Sequence, residues 1–160
     1  MKQDPRKDGA ITLGNIEEGR RGNMRQLLLR ASRIVNRHVV EGLHARGYAK
    51  LRSTHTTLLS NIELAGSTVT AAADRAGITK QAMGRLATEL ESAGYIRVQA
   101  DPNDARSRVL QLTRTGKQLM LDSLEVMAEL ERRYAGLVGR DRLAGMLRGL
   151  AAFVEAAERD

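Results

Sequence analysis

Between Thr70 and Lys117 the spacing of apolar residues changes twice, and few folds tolerate that in so short a stretch. Thr70 has the side chain to cap a short helix that stops at Gly77, where a residue lacking Cβ accepts a positive φ. Ile78 anchors the turn and Thr79 can cap a second helix, on which Met83, Leu86 and Leu90 recur along one face until Gly94. The period then drops to two. The runs 95-YIRVQ-99 and 108-RVLQL-112 alternate apolar and polar residues, as half-buried strands do. Between them, 100-ADPNDARS-107 supplies the turn formers Asp, Pro and Asn, which predicts a β-hairpin with a long basic tip. Thr113 can cap the helix that follows. A hairpin directly behind a helix-turn-helix is a wing. The second helix fits the major groove of DNA, about 12 Å wide, while the hairpin tip reaches the neighbouring minor groove.

The rest of the chain surrounds this motif with helices. Asn23 followed by Gln26 fits a capping-box variant that starts a helix carrying Met24, Leu27, Leu28, Ala31, Ile34 and Val35, fading near Gly47. A second helix is expected from Ser53, with Leu58, Leu59 and Ile62, up to the break at Gly66-Ser67. After Thr113 a long stripe runs through Leu119, Met120, Leu124, Met127, Leu130 and Tyr134. A break over residues 136–139 precedes a last helix with Leu143, Met146, Leu147, Leu150, Val154 and Ala157. A winged helix-turn-helix core alone could not cover the last two stripes. The expected organisation is a mobile tail over residues 1–22 and a single domain over 23–160. In that domain residues 53–112 form the winged part, and residues 23–50 and 114–160 form the outer helices. The fold class is mainly α with a small β-hairpin wing.

Aromatic residues make up only 2% of the chain, so the core must be built from aliphatic side chains and Met, which suits packed helices. With no cysteine there is no disulfide, thiolate metal ligand or thiol redox switch. No apolar run approaches the roughly 18–20 residues that span a bilayer, and MKQDPRKDGA has no apolar segment behind its charges. A soluble, cytoplasmic protein is expected. The formal net charge is +7 and unevenly spread: residues 20–52 hold nine Lys and Arg against one acid, Glu41. Residues 97–117 form a second basic stretch. Such patches suit a polyanion, because neutralising phosphates releases counterions.

Over residues 68–117 the sequence resembles the MarR (multiple antibiotic resistance regulator) transcription factors, and the resemblance extends more weakly from residue 24 to the C-terminus. It rests on the helix-turn-helix ending in Leu90 and Gly94-Tyr95-Ile96, on Asp101-Pro102 and Asp104-Ala105-Arg106, and on Leu112-Thr113 with Gly116. The resemblance implies a winged-helix protein that binds duplex DNA as a homodimer through its terminal helices, on a pseudo-palindromic site. It also implies a repressor modulated by a small aromatic or anionic effector. Ala72 and Ala76 stand where family members usually place leucines, Gly84 where Thr or Ser is usual, and Val98 where an arginine is often found.

On this reading Lys80, Gln81, Gly84 and Arg85 lie in the first turns of the recognition helix, where Gln can pair with adenine and Arg with guanine. Thr70 and Thr79, at helix N-termini, suit phosphate oxygens. Arg106 is the expected minor-groove arginine, with Asp104 orienting it, and Arg108 at the base of the wing is expected on phosphate. His38 and His55 are the candidate effector contacts. No metal site, cofactor or membrane partner is expected. Nor is an enzyme, since the histidines have no paired nucleophile and the chain has no Gly-rich phosphate loop. The alternative is a winged-helix architectural or protein-interaction module without base-specific readout.

Overall fold

The computed structural model describes residues 22–101 and 104–159, together with Gly14 and Gly19; the side chains of residues 104–106 fall outside the description. The chain divides into two units, residues 1–37 and residues 38–160. In the first, Asn23 Oδ1 accepts the Gln26 amide at 3.0 Å, so the expected cap starts helix α1 (Met24–Ala45). Met24, Leu27, Leu28, Leu29 and Ile34 are exposed. The tail expected over residues 1–22 lies almost wholly outside the described residues.

The second unit takes in the end of α1 and then α2 (His55–Leu59), β1 (Ser67–Thr68), α3 (Val69–Ala76) and α4 (Lys80–Ser92). It continues with β2 (Ile96–Asp101), β3 (Asp104–Leu112), α5 (Arg114–Val138) and α6 (Arg140–Ala157). Its core gathers Leu43, Leu58, Met83, Leu90, Ile96, Leu110 and Leu119, all essentially removed from water. Two of the three buried positions on α4, Met83 and Leu90, are those the periodicity marked, with Ala87 between them. The small sheet is antiparallel in the order β1-β3-β2.

Local signals place the helix ends. Gly77 closes α3 in the left-handed region at φ 64°, and the amides of Gly77 and Ile78 return to the carbonyls of Asp74 and Ala73. Thr79 Oγ1 accepts the Ala82 amide at 3.2 Å and starts α4. The Leu-Thr-x-x-Gly run after the wing has a physical reason at each place. Leu112 is buried and pairs with Ile96. Thr113 Oγ1 accepts the Gly116 amide at 3.0 Å, capping α5, and its hydroxyl points at the carbonyls of Gly94 (2.7 Å) and Tyr95 (3.1 Å). At Gly116 a Cβ would lie 1.9 Å from the Tyr95 carbonyl oxygen, so only glycine lets α5 start against the chain entering the wing.

A polar cluster ties the end of α1 to α5. Arg46 reaches Glu125 at 2.8 Å and Glu129 at 2.6 Å, and the Tyr48 hydroxyl donates to Asp122 at 2.5 Å. Burial, then the hydrogen bond to Asp122, pushes the Tyr48 phenol up to about 12. The Tyr48 hydroxyl, with Gln118, holds the Asp122 carboxyl below its usual range.

Several expectations are corrected. The helix expected from Ser53 through Ile62 is only α2 (His55–Leu59), and the segment after it is held from outside. Arg75 donates to the Asn61 carbonyl at 2.8 Å, to Glu63 at 2.6 Å and to the Ser67 hydroxyl at 2.7 Å. The cap of α3 is Thr68, whose Oγ1 accepts the Ala71 amide, and not Thr70, which sits inside the first turn. The hairpin strands run further into the expected loop: Ala100 pairs with Arg108 and Asp101 with Asp104, with an irregular register between these pairings. Backbone pairing there does not need alternating side chains. Helix α5 passes through Gly136, so the chain breaks only at Gly139. Among the described residues, no helix is long and apolar enough to cross a membrane.

Candidate nucleic-acid interface

Helix α4 is two-sided. Met83, Ala87 and Leu90 are buried with Leu86 partly buried beside them, while Thr79, Lys80, Gln81, Arg85 and Thr88 face solvent. Burying one stripe against α2, α3 and the sheet fixes which side chains remain outside. The exposed face is flanked by two clefts.

The first cleft, about 300 Å³, lies between α3, α4 and the wing, and is lined by Val69, Thr70, Lys80, Gly84, Ser107 and Arg108. It brings together four of the expected contact residues, Thr70, Lys80, Gly84 and Arg108, from three elements separate in sequence. Both ionisable groups lining it are cations, beside the hydroxyls of Thr70 and Ser107. Ser107 was not singled out from the sequence; the strand pairing that carries β3 past Arg108 is what turns it into this cleft wall.

The second cleft, about 370 Å³, lies on the other flank of α4 and is lined by Arg52, Thr54, Thr57, Ile78, Ala82, Arg85, Leu86 and Glu89. Arg85 therefore belongs to a different surface from Lys80 and Arg108. Its neighbour Arg52, which the sequence did not mark, pairs with Glu89 at 2.7 Å. Behind them His55 is buried: its Nδ1 accepts the Arg52 amide at 3.1 Å, which puts the ring proton on Nε2, 2.9 Å from Glu89. The His55 hydrogen bond, with the nearby Arg52 and Arg85, holds the Glu89 carboxyl below its ordinary value.

The remaining expected residues fall elsewhere. Gln81 and Thr79 are exposed at the start of α4, in neither set of lining residues. Arg108 is exposed on β3 opposite Ala100. The side chains of Asp104 and Arg106 lie outside the described residues, although their backbone belongs to β3. His38 is partly buried, with Nδ1 2.8 Å from the Tyr134 hydroxyl and the two rings tilted at 6.0 Å. His38 and His55 make these hydrogen bonds to different helices, His38 to Tyr134 on α5 and His55 to Glu89 on α4. Among the described residues, no group of His, Asp and Glu is arranged to hold a metal ion.

Residues 49–107, which take in the second cleft, all of the first except Arg108, and most of the wing, match the MarR family. No curated protein sequence matches the chain. Among solved structures, a crystal structure of MarR superposes with a TM-score of 0.73 at 21% identity, covering 86% of this chain and all (100%) of that one. Wild-type apo MarR from E. coli gives 0.68 at 17%, covering 82% of this chain and 96% of that one. The transcriptional repressor CouR bound to a 23-mer DNA duplex gives 0.63 at 22%, covering 91% of this chain and 99% of that one. At these identities the likeness is one of fold.

Proposed function

We propose that this chain, whose residues 49–107 match the MarR family, is a DNA-binding transcriptional regulator, a repressor working as a homodimer in the cytoplasm. One observation carries the reading. Thr70, Lys80, Gly84 and Arg108 meet in one acid-free cleft between recognition helix and wing. A helix in the major groove and a ribbon in the adjoining minor groove straddle a single sugar–phosphate backbone, and that cleft lies between the two elements. On this reading Gln81 and Arg85 read base edges, while Thr70, Thr79, Lys80 and Arg108 hold phosphates. Arg106, braced by Asp104, enters the minor groove from the wing tip. CouR, similar in fold, is a repressor seen on DNA.

The homodimer is supported by what α6 leaves uncovered. Only Leu143 on that helix is buried, while Met146, Leu147, Leu150, Phe153 and Val154 remain exposed. A patch of this size on one helix marks an interaction surface, and a two-fold pair would set two recognition helices about 34 Å apart on a pseudo-palindrome. An aromatic or anionic effector is part of the proposal through His38, whose second ring nitrogen is not engaged by its bond to Tyr134. His55, with both nitrogens occupied, acts through the scaffold.

The test is recovery of genomic fragments bound by the purified protein, followed by titration of one fragment against a mixed-sequence duplex. The reading expects a consensus with two-fold symmetry and affinity that falls steeply with salt. Equal affinity for both duplexes would favour an architectural role, and no binding at moderate salt a protein-interaction module.

A further inference from the structure

Gly84 stands where the fold does not require a glycine. Its φ is not positive; among the described residues the glycines with that property are Gly47, Gly66, Gly77, Gly94 and Gly139. A Cβ built on it meets nothing within 4 Å. Glycine is also the poorest helix former after proline, so its presence within α4 weakens the helix. Local structure therefore offers no reason for it, whereas at Gly116 a Cβ would strike backbone.

The cleft offers a reason. Gly84 lies one turn after Lys80 on α4, on the wall facing Arg108 and Ser107 of β3, with Thr70 of α3 beside them. Where a side chain would stand, the surface is bare backbone between two cations. We infer that Gly84 is a clearance residue: its missing side chain lets a phosphodiester of duplex DNA seat against the helix backbone between Lys80 and Arg108. This sets how deeply α4 enters the groove. The inference rests on the DNA-binding reading above and adds to it the place where the DNA strand makes its closest approach.

The consequences for stability and for binding have opposite signs. Gly84→Ala improves helix propensity without any clash inside the protein, and raises Tm by about 3 °C. It lifts the phosphate from its seat, and affinity for duplex falls about tenfold. Losing one phosphate contact also lowers the slope of log affinity against log salt by about 0.9. Gly84→Leu extends the loss to about a hundredfold, with Tm no lower than wild type.

The experiment uses the full-length protein and a fluorescein-labelled duplex, the tightest fragment recovered from genomic DNA. Anisotropy titrations at several salt concentrations are run beside thermal melts for wild type, Gly84→Ala, Gly84→Leu, Lys80→Ala and Arg108→Ala. Higher Tm with weaker, less salt-steep binding in both glycine variants supports the seat. If Lys80→Ala and Arg108→Ala weaken binding while Gly84→Ala binds as tightly as wild type, the seat is overturned and the DNA-binding reading stands. If wild type prefers no duplex and the Lys80 and Arg108 variants change nothing, the DNA-binding reading fails and takes the seat with it.

Discussion

The region from Thr68 to Leu112 and helix α6 present opposite accounts to water. In the first, Val69, Ala72, Met83, Leu90, Ile96 and Leu110 are buried, and the exposed residues of the recognition helix are polar. In the second, one residue is buried and a row of large apolar side chains is wet. Both contain helices with apolar stripes at helical spacing. The difference lies in the partner: α4 packs on α2, α3 and β2, whereas the main packing partner of α6 among the described residues is α5. The hydrophobic effect is roughly proportional to the apolar area removed from water. The winged part thus has its driving force within one chain, whereas most of the apolar face of α6 stays uncovered among the described residues, which is the face the proposed homodimer would bury.

The largest expected effect tests the first half of that comparison. Gly116→Ala drives a methyl into the Tyr95 carbonyl, where backbone must move, and should destabilise the protein by about 3 kcal/mol in denaturant melts. A loss under about 0.5 kcal/mol would show that the junction of wing and α5 is looser than described.

The second half is broken by charge. Leu147→Asp with Leu150→Asp should leave the winged region folded and turn the proposed dimer into a monomer in sedimentation equilibrium. Affinity for a two-fold duplex should then drop about a hundredfold, since the second site no longer binds intramolecularly. A double variant that stays dimeric would mean that α6 is not the surface that pairs.

How far the sequence revealed this division depends on the range of each interaction. Helix starts at Asn23, Thr79 and Thr113 and the stop at Gly77 were legible, because a cap is decided within four residues. Strand β1 was not, since Ser67–Thr68 is too short to show a period and exists only by pairing with Leu110 and Val109. The same holds for Arg75, which looks like another surface cation until the segment from Asn61 to Ser67 folds under it. His55 lies in a polar run, and the partner that lets it be buried, Glu89 on α4, is remote in sequence. At the interface, residue types on α4 were legible, and their division between two clefts was not. That division depends on where α2 and β3 lie beside α4.

A smaller effect sharpens the contrast between the two clefts. Arg85→Ala should lower preference for the recovered fragment over mixed sequence about tenfold, while general affinity changes little. Lys80→Ala should do the reverse, weakening both duplexes alike. Identical behaviour of the two variants would remove the distinction.

The smallest effect is on pH dependence. The folded phenol of Tyr48 titrates at about 12, above the ordinary value of 10.0. A raised pKa means that the folded state favours the neutral form, so this contribution is complete below pH 10 and lost as pH rises towards 12. The Asp122 carboxyl is held below its usual 3.8, so its contribution is present above that value and fades as pH falls further. Tyr48→Phe should flatten the alkaline limb of stability against pH; an unchanged limb would place its origin elsewhere.

The most direct measurement is a hydroxyl-radical footprint of the protein on its tightest genomic fragment. The account predicts two protected patches related by a two-fold axis and separated by about one helical turn, each extending from major-groove phosphates into the adjoining minor groove. A single unpaired patch, or protection confined to one groove, would contradict it.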